Sequence, residues 1–259
     1  MEVLQSLAGF LVGILVGLTG VGGGALMTPL LIIVFGVPTI TAIGTDLAYA
    51  AVTKSAGVCY HRKLSSIRWD LVKHLALGSI PGSLFSLIIL GIFQTQSSET
   101  EGIDSIITML LGFCLVVTAL LILMRNKLNG LEKLKKYNCN LSTYKTLNIA
   151  GFFIGILVTL SSIGAGALTA AIIFVLYPNL ESRTLVGTDL AHALPLAIIA
   201  GFGHFSLGNV DTWLLFSLLI GSLPGVFIGV RLGRLLPDQI IKNLLAWLLI
   251  ILGIKFIYT

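Results

Sequence analysis

The sequence predicts an all-α polytopic membrane protein made of two inverted-topology repeats, each of about five helical segments. Three observations carry this expectation: long apolar runs with few charges, an internal duplication, and a one-sided distribution of basic residues.

Hydrophobic residues make up 56% of the 259-residue chain and charged residues only 10%. A soluble domain typically carries about 25% charged residues. Apolar runs of about 20 residues with few charges read as membrane-crossing helices, and several are present. The short alternating segments of a β-barrel are absent. The start, "MEVLQSLAGF", has Glu2 where a signal peptide would carry bases, so it is expected to open the first helix. Cys59, Cys114 and Cys139 form no C-x-x-C pair, which argues against a disulfide framework or a dithiol relay. The four histidines show no metal-ligand spacing. No metal and no cofactor is expected.

The duplication runs nearly the whole length. An offset of 142 aligns "AGFLVGILVGLTGVGGGAL" (8–26) with "AGFFIGILVTLSSIGAGAL" (150–168). An offset of 143 aligns "GTDLAYA" (44–50) with "GTDLAHA" (187–193), His61 with His204, and "GSIPG" (78–82) with "GSLPG" (221–225). Residues 1–124 are expected to form the first repeat, 125–145 a cytoplasmic linker, and 146–259 the second repeat. Apolar pieces fall at about 4–19, 24–36, 39–61, 70–92 and 103–124, then at about 146–162, 166–177, 183–205, 212–231 and 239–258. The last three of each half are long enough to cross at about 1.5 Å per residue. The first two of each half read as short.

Basic residues orient the chain. Arg62, Lys63, Arg68 and Lys73 lie in one hydrophilic stretch, and Arg125, Lys127, Lys133, Lys135, Lys136 and Lys145 in another, two crossings later. Between them "FQTQSSETEGID" has three acids and no base. Putting the basic stretches inside makes 14 of the 16 basic residues cytoplasmic, leaving Lys54 and Lys255. Both termini are then external, in a multi-pass protein of the cell's inner membrane. The positive net charge thus belongs to membrane orientation and implies no nucleic-acid partner. His61 ends a helix inside and His204 ends one outside, so the halves are inverted. Inverted repeats are a transporter signature.

"GLTGVGGGALMTPLL" (17–31) has five glycines in its first eight residues, and "TLSSIGAGALTAAII" (159–173) is its counterpart. Irregular backbone inside a bilayer is tolerated where protein or a water-filled cavity surrounds it. Each stretch is followed by a short helix beginning near Gly24 or Gly166. A helix N-terminus offers N–H groups and partial positive charge to an anion, and glycine allows close approach. Gly20, Gly22, Gly23 and Gly24, with Gly164 and Gly166, are thus candidate anion ligands, and Thr19, Ser161 and Ser162 add hydroxyls. The competing reading is close helix packing by small residues.

With "GLTGVGGGALMTPLL", the "GTDLA" repeat, a lysine eight residues after the aspartate, His61 and "GSIPGS", the chain resembles the TauE/SafE sulfite exporter family, over nearly its whole length and in both halves. The resemblance implies an inner-membrane permease for sulfur-containing anions such as sulfite or organosulfonates. It leaves the individual substrate open. The halves differ: "SSIGAG" replaces "TGVGGG", and Ala197 stands where Lys54 does.

Charges inside membrane helices are costly and mark function or pairing. Asp46 and Asp189 are such residues; they either fix the broken segments or carry a proton or cation. Lys54, two turns after Asp46, is a candidate anion ligand or an ion-pair partner of Asp46. His192 is three residues after Asp189, within side-chain reach. His61 and His204 are interfacial or gating residues. Pro81 and Pro224 suggest kinks that could act as hinges. The expected function is a secondary transporter holding a small sulfur-containing anion near the midplane between the repeats. A coupled proton or cation and a homo-oligomer remain open. No nucleophile, redox pair or Walker motif points to an enzyme. The alternatives are a membrane-embedded enzyme or assembly factor, or a channel-like anion conduit.

Overall fold

The computed structural model describes residues 2–19, 24–63, 66–96, 100–128, 141–164, 166–177, 180–232 and 238–258. The described residues form ten α-helices and no strands: α1 (Glu2–Thr19), α2 (Gly24–Phe35), α3 (Thr39–Lys63), α4 (Trp69–Gln96), α5 (Thr100–Leu128), α6 (Leu141–Ser161), α7 (Ala167–Leu176), α8 (Ser182–Ser206), α9 (Thr212–Leu232) and α10 (Asp238–Tyr258).

The boundaries follow local chemistry. α2 ends on Gly36, whose φ of +64° is the left-handed value of a helix-terminating glycine. The Gly36 and Val37 N–H groups donate back to Ile32 and Leu31 oxygens, and Pro38 prevents continuation. α9 begins on Asp211, whose Oδ1 accepts the Leu214 N–H at 3.0 Å, a side-chain N-cap.

Five helices are long and apolar enough to cross a bilayer: Trp69–Thr95, Asp104–Met124, Thr143–Ser161, Arg183–Ser206 and Thr212–Gly229. Two expectations change. The segment before the second glycine stretch is not short, since α6 has 21 residues. Only α2 and α7, with 12 and 10 residues, fall well below the roughly 30 Å of a bilayer core at about 1.5 Å per residue. α3, by contrast, has the length but not the apolarity. It carries Asp46 and Lys54, and it can do so because other helices cover it.

Pairing is reciprocal between the halves. α1 packs on α9 and α4 on α6, α3 packs on α8, and α5 on α10. Shifting each helix by five elements turns the first pair into the second and returns each of the last two to itself. The contacts also give directions. Gly9 lies against Leu218, Gly13 against Ser222 and Gly229 against Ile14, so α1 and α9 run parallel. Gly78 lies against Asn148 and Gly155 against Ser79, so α4 and α6 also run parallel. Gly44 lies against Asn209 and Gly57 against Leu190, so the equivalent helices α3 and α8 run antiparallel. Gly112 meets Ile257 while Gly253 meets Val116, so α5 and α10 are antiparallel too. Apolar side chains such as Phe202, Phe216, Ile220 and Phe227 face outward, as a lipid-facing surface requires. The polar side chains gather inside, around α3 and α8.

Candidate functional site

The break after α6 is a left-handed turn. Ser162 has φ +57° and Gly164 φ +104°, and Gly166 is the N-cap position of α7. Positive φ costs a residue with a Cβ about 1–2 kcal/mol, so Ser162 needs compensation. Its Oγ donates to Asp46 Oδ2 at 2.8 Å. Thr28, on α2, donates to the same oxygen at 2.5 Å. Asp46, fully buried on α3, therefore ties the short helix of one half to the break of the other. Ser161 works locally: its Oγ donates to Leu157 O at 2.6 Å and accepts the Ile163 N–H at 3.2 Å. α1 ends at Thr19 and α2 begins at Gly24; the Thr19 side chain and all of Gly20, Gly22 and Gly23 lie outside the described residues.

Lys54 is 7% exposed and makes no hydrogen bond or ion pair among the described residues. It does not pair with Asp46, as one sequence expectation had it. Its electrostatic neighbours are Asp189 and Asp46, one on each central helix. Between described residues, the one ion pair within 4.0 Å is Arg68–Asp70, at the surface. His192, wholly buried, also lies within electrostatic range of Lys54. Its Nε2 is 2.9 Å from Ser79 Oγ, and its Nδ1 is 3.5 Å from Thr169 Oγ1. The structure thus brings together Asp46, Lys54, Asp189, His192 and Ser162 from the sequence-derived candidates. Among the described residues, no three His, Cys, Asp or Glu side chains cluster as a metal centre.

His204 is buried at the end of α8, its Nε2 2.9 Å from Thr159 O. His61 lies on α3, its side chain outside the described residues. Pro81 and Pro224 sit within α4 and α9, which continue through them. The glycines beside them matter more for packing: a Cβ at Gly82 would collide with Phe152 O, and one at Gly225 with Phe10 O.

Several polar residues were not singled out from sequence: Thr28, Ser79, Ser83, Thr159 and Thr169, together with the threonine of each "GTDLA". Thr45 Oγ1 accepts the Asp211 N–H at 3.0 Å, and Thr188 Oγ1 accepts the Arg68 N–H at 3.0 Å. Arg68 and Asp211 are themselves 143 residues apart, so the two bonds are equivalent. Each threonine holds the chain where the other half's α4 or α9 begins. The duplication of "GTD" was the available signal.

A family model for sulfite exporter TauE/SafE matches residues 6–256. The chain belongs to the TauE/SafE sulfite exporter family. Probable membrane transporter protein YjnA of Bacillus subtilis is 39% identical over 259 residues, covering 99% of this chain and all of the relative. Probable membrane transporter protein YdhB of the same organism is 29% identical over 90% of this chain and 91% of its own length. A probable membrane transporter protein of Haemophilus influenzae is 25% identical over 96% and 95%. No solved structure matches. Membership in TauE/SafE, with five helices able to cross a bilayer, makes the chain a multi-pass membrane transporter.

Proposed function

We propose that the chain is a secondary transporter of the inner membrane that binds a small sulfur-containing anion, such as sulfite or an organosulfonate, near the midplane between two inverted halves. The observation that carries this reading is Lys54, a buried cation without a bonded counter-ion among the described residues, set among buried polar side chains. A lysine at the centre of a membrane helix costs about 2.5–3.5 kcal/mol by insertion scales. Retaining it without a bonded partner is understandable if an anion completes the site. The family's description as sulfite exporters supports the choice of a sulfur oxyanion. The inverted arrangement is supported by the antiparallel contacts of α3 with α8 and of α5 with α10, each pairing equivalent helices. Ser162 and the turn to α7 are the most favourably placed part of the glycine-stretch site, because they already contact Asp46.

The test is a binding screen of purified protein against sulfite, thiosulfate, sulfate and small sulfonates, followed by flux in proteoliposomes. Lys54→Ala is expected to weaken binding by at least tenfold, since a hydrogen bond to a charged group contributes about 1.5–3 kcal/mol. Lys54→Arg should keep part of it, because charge survives while geometry changes. Unchanged affinity in Lys54→Ala would remove Lys54 from the site.

A further inference from the structure

We infer that the second half of α3 lines a water-filled entrance for anions, running from Arg62 at its mouth past Cys59 and Ser55 to Lys54; this rests on the anion-binding reading above and supplies its route of access. The observation is a difference between the two halves. Ser55, Cys59 and Arg62 stand four and three residues apart, on one face of α3, and all three are exposed. Adding the repeat offset of 143 gives Ile198, Phe202 and Phe205 on α8, which are exposed as well. With the halves inverted, the two faces lie at matching depths. One carries the apolar side chains that lipid requires. The other carries a hydroxyl, a thiol and a guanidinium.

Packing shows the same contrast. α4 runs along α8 from its start, where the Arg68 N–H donates to Thr188, through the Ser79–His192 hydrogen bond, to Leu87 against Gly203. Its counterpart α9 meets α3 beside Thr45, but touches that helix much less extensively. The cover differs accordingly. Leu196, Ala200 and Gly201 are buried on α8, whereas their equivalents on α3, Thr53, Gly57 and Val58, are only partly buried. The second half of α3 is thus the less covered of the two, and it is the one with polar side chains.

Charge selects what enters. Between Asp46 and Asp70 the sequence holds no acid, while Lys54, Arg62, Lys63 and Arg68 are basic. A cleft lined by one sign of charge concentrates ions of the other. Ser55 lies about 10 Å along the helix from Arg62. Its Oγ donates to Val52 O at 2.6 Å, which leaves its lone pairs to water. Lys54 is the preceding residue, about 100° round the helix and 7% exposed. An anion that reaches Ser55 is therefore one residue from the buried cation. The mouth lies at the end of α3 that the basic residues would place in the cytoplasm.

The experiment is thiol labelling of the full chain in permeabilised cells, where both faces of the membrane meet the reagent. Two methanethiosulfonates of similar size are compared, the anionic sulfonatoethyl and the cationic trimethylammonioethyl compounds. Each rate is divided by the rate with a free thiol in solution. Native Cys59 is read in the unaltered chain by mass spectrometry of its peptide, with buried Cys114 as the unreactive reference. Ser55→Cys and Phe202→Cys are read in the same way. Cys59 and the cysteine at position 55 should react, and the one at position 202 should not. At position 55 the anionic reagent should lead by about tenfold, and Arg62→Gln should shrink that lead severalfold. An unreactive position 55, equal reaction at position 202, no preference for the anion, or a preference indifferent to Arg62→Gln would overturn the inference. An unreactive Cys59 in the unaltered chain would overturn it without any variant. Anion-selective reaction at position 55 upholds the entrance even if no sulfonate binds. Sulfonate binding with position 55 unreactive removes the entrance and leaves the binding reading standing.

Discussion

At Asp46, two hydroxyls from opposite halves of the chain meet on one oxygen, Thr28 from α2 and Ser162 from the break after α6. Removing either should cost about 1–3 kcal/mol of stability, because it strips a donor from a buried carboxyl group. At Ser162 the backbone adds a second effect. With φ at +57°, Ser162→Gly loses the hydroxyl but also relieves the left-handed strain, whereas Ser162→Ala loses the hydroxyl and keeps the strain. Ser162→Gly should therefore be the milder change by about 1 kcal/mol. Denaturant unfolding in detergent checks the order, and equal losses would mean that the turn is not strained. The sequence marked Asp46 and Ser162, because a charge inside a membrane helix and a duplicated glycine-rich break are visible without coordinates. It did not mark Thr28. Nothing in the spacing relates residue 28 to residue 46 until the turn at Gly36 folds α2 back along α3. The tie between Asp46 and Ser162 was hidden for the same reason: 116 residues separate them.

Between elements, the parallel pairs α1·α9 and α4·α6 are held at backbone contact by glycines. A Cβ at Gly155 would collide with Ser79 O, and one at Gly13 would lie 2.5 Å from Ser222 O. Backbone cannot swing aside as a flexible side chain can, so Gly155→Val or Gly13→Val should cost at least about 1–3 kcal/mol, the usual range for overpacking. Gly102 is the control. It lies near the start of α5 with nothing within 4 Å, so Gly102→Ala should be neutral or raise stability by up to about 1 kcal/mol through helix propensity. Thermal unfolding in one detergent would compare all three variants; a valine at Gly155 without a fall in Tm would contradict the close contact. The number of helices and their approximate bounds were readable from the apolar runs. Which face of each helix meets which neighbour was not, because a helix that is apolar all round carries no stripe. That is why the seating of the "GSIPG" and "GSLPG" glycines against the backbones of α6 and α1 was not legible. It is also why α3 passed for an ordinary crossing helix, when it is the polar, enclosed one.

For the whole molecule, we propose an orientation. The basic residues would put the α3 end and residues 129–140 in the cytoplasm, and both termini outside. Packing gives the helix directions relative to one another, and these are consistent with that proposal. If α9 runs inward to Arg231, its parallel partner α1 also runs inward, so the N-terminus is outside. If α3 runs inward to Arg62, its antiparallel partner α8 runs outward to Ser206. Arg62 and Ser206 are both exposed and stand at nearly equivalent positions of the two repeats. Inversion therefore requires them to face opposite sides. In a background lacking Cys59, Cys114 and Cys139, single cysteines would replace Arg62, Ser98, Lys135 and Ser206. A membrane-impermeant maleimide added to intact cells should label the cysteines at positions 98 and 206. Those at 62 and 135 should react only after permeabilisation. Labelling of 62 and 206 from the same side would refute the inverted repeat, and labelling of 135 in intact cells would reverse the orientation while leaving the repeat intact.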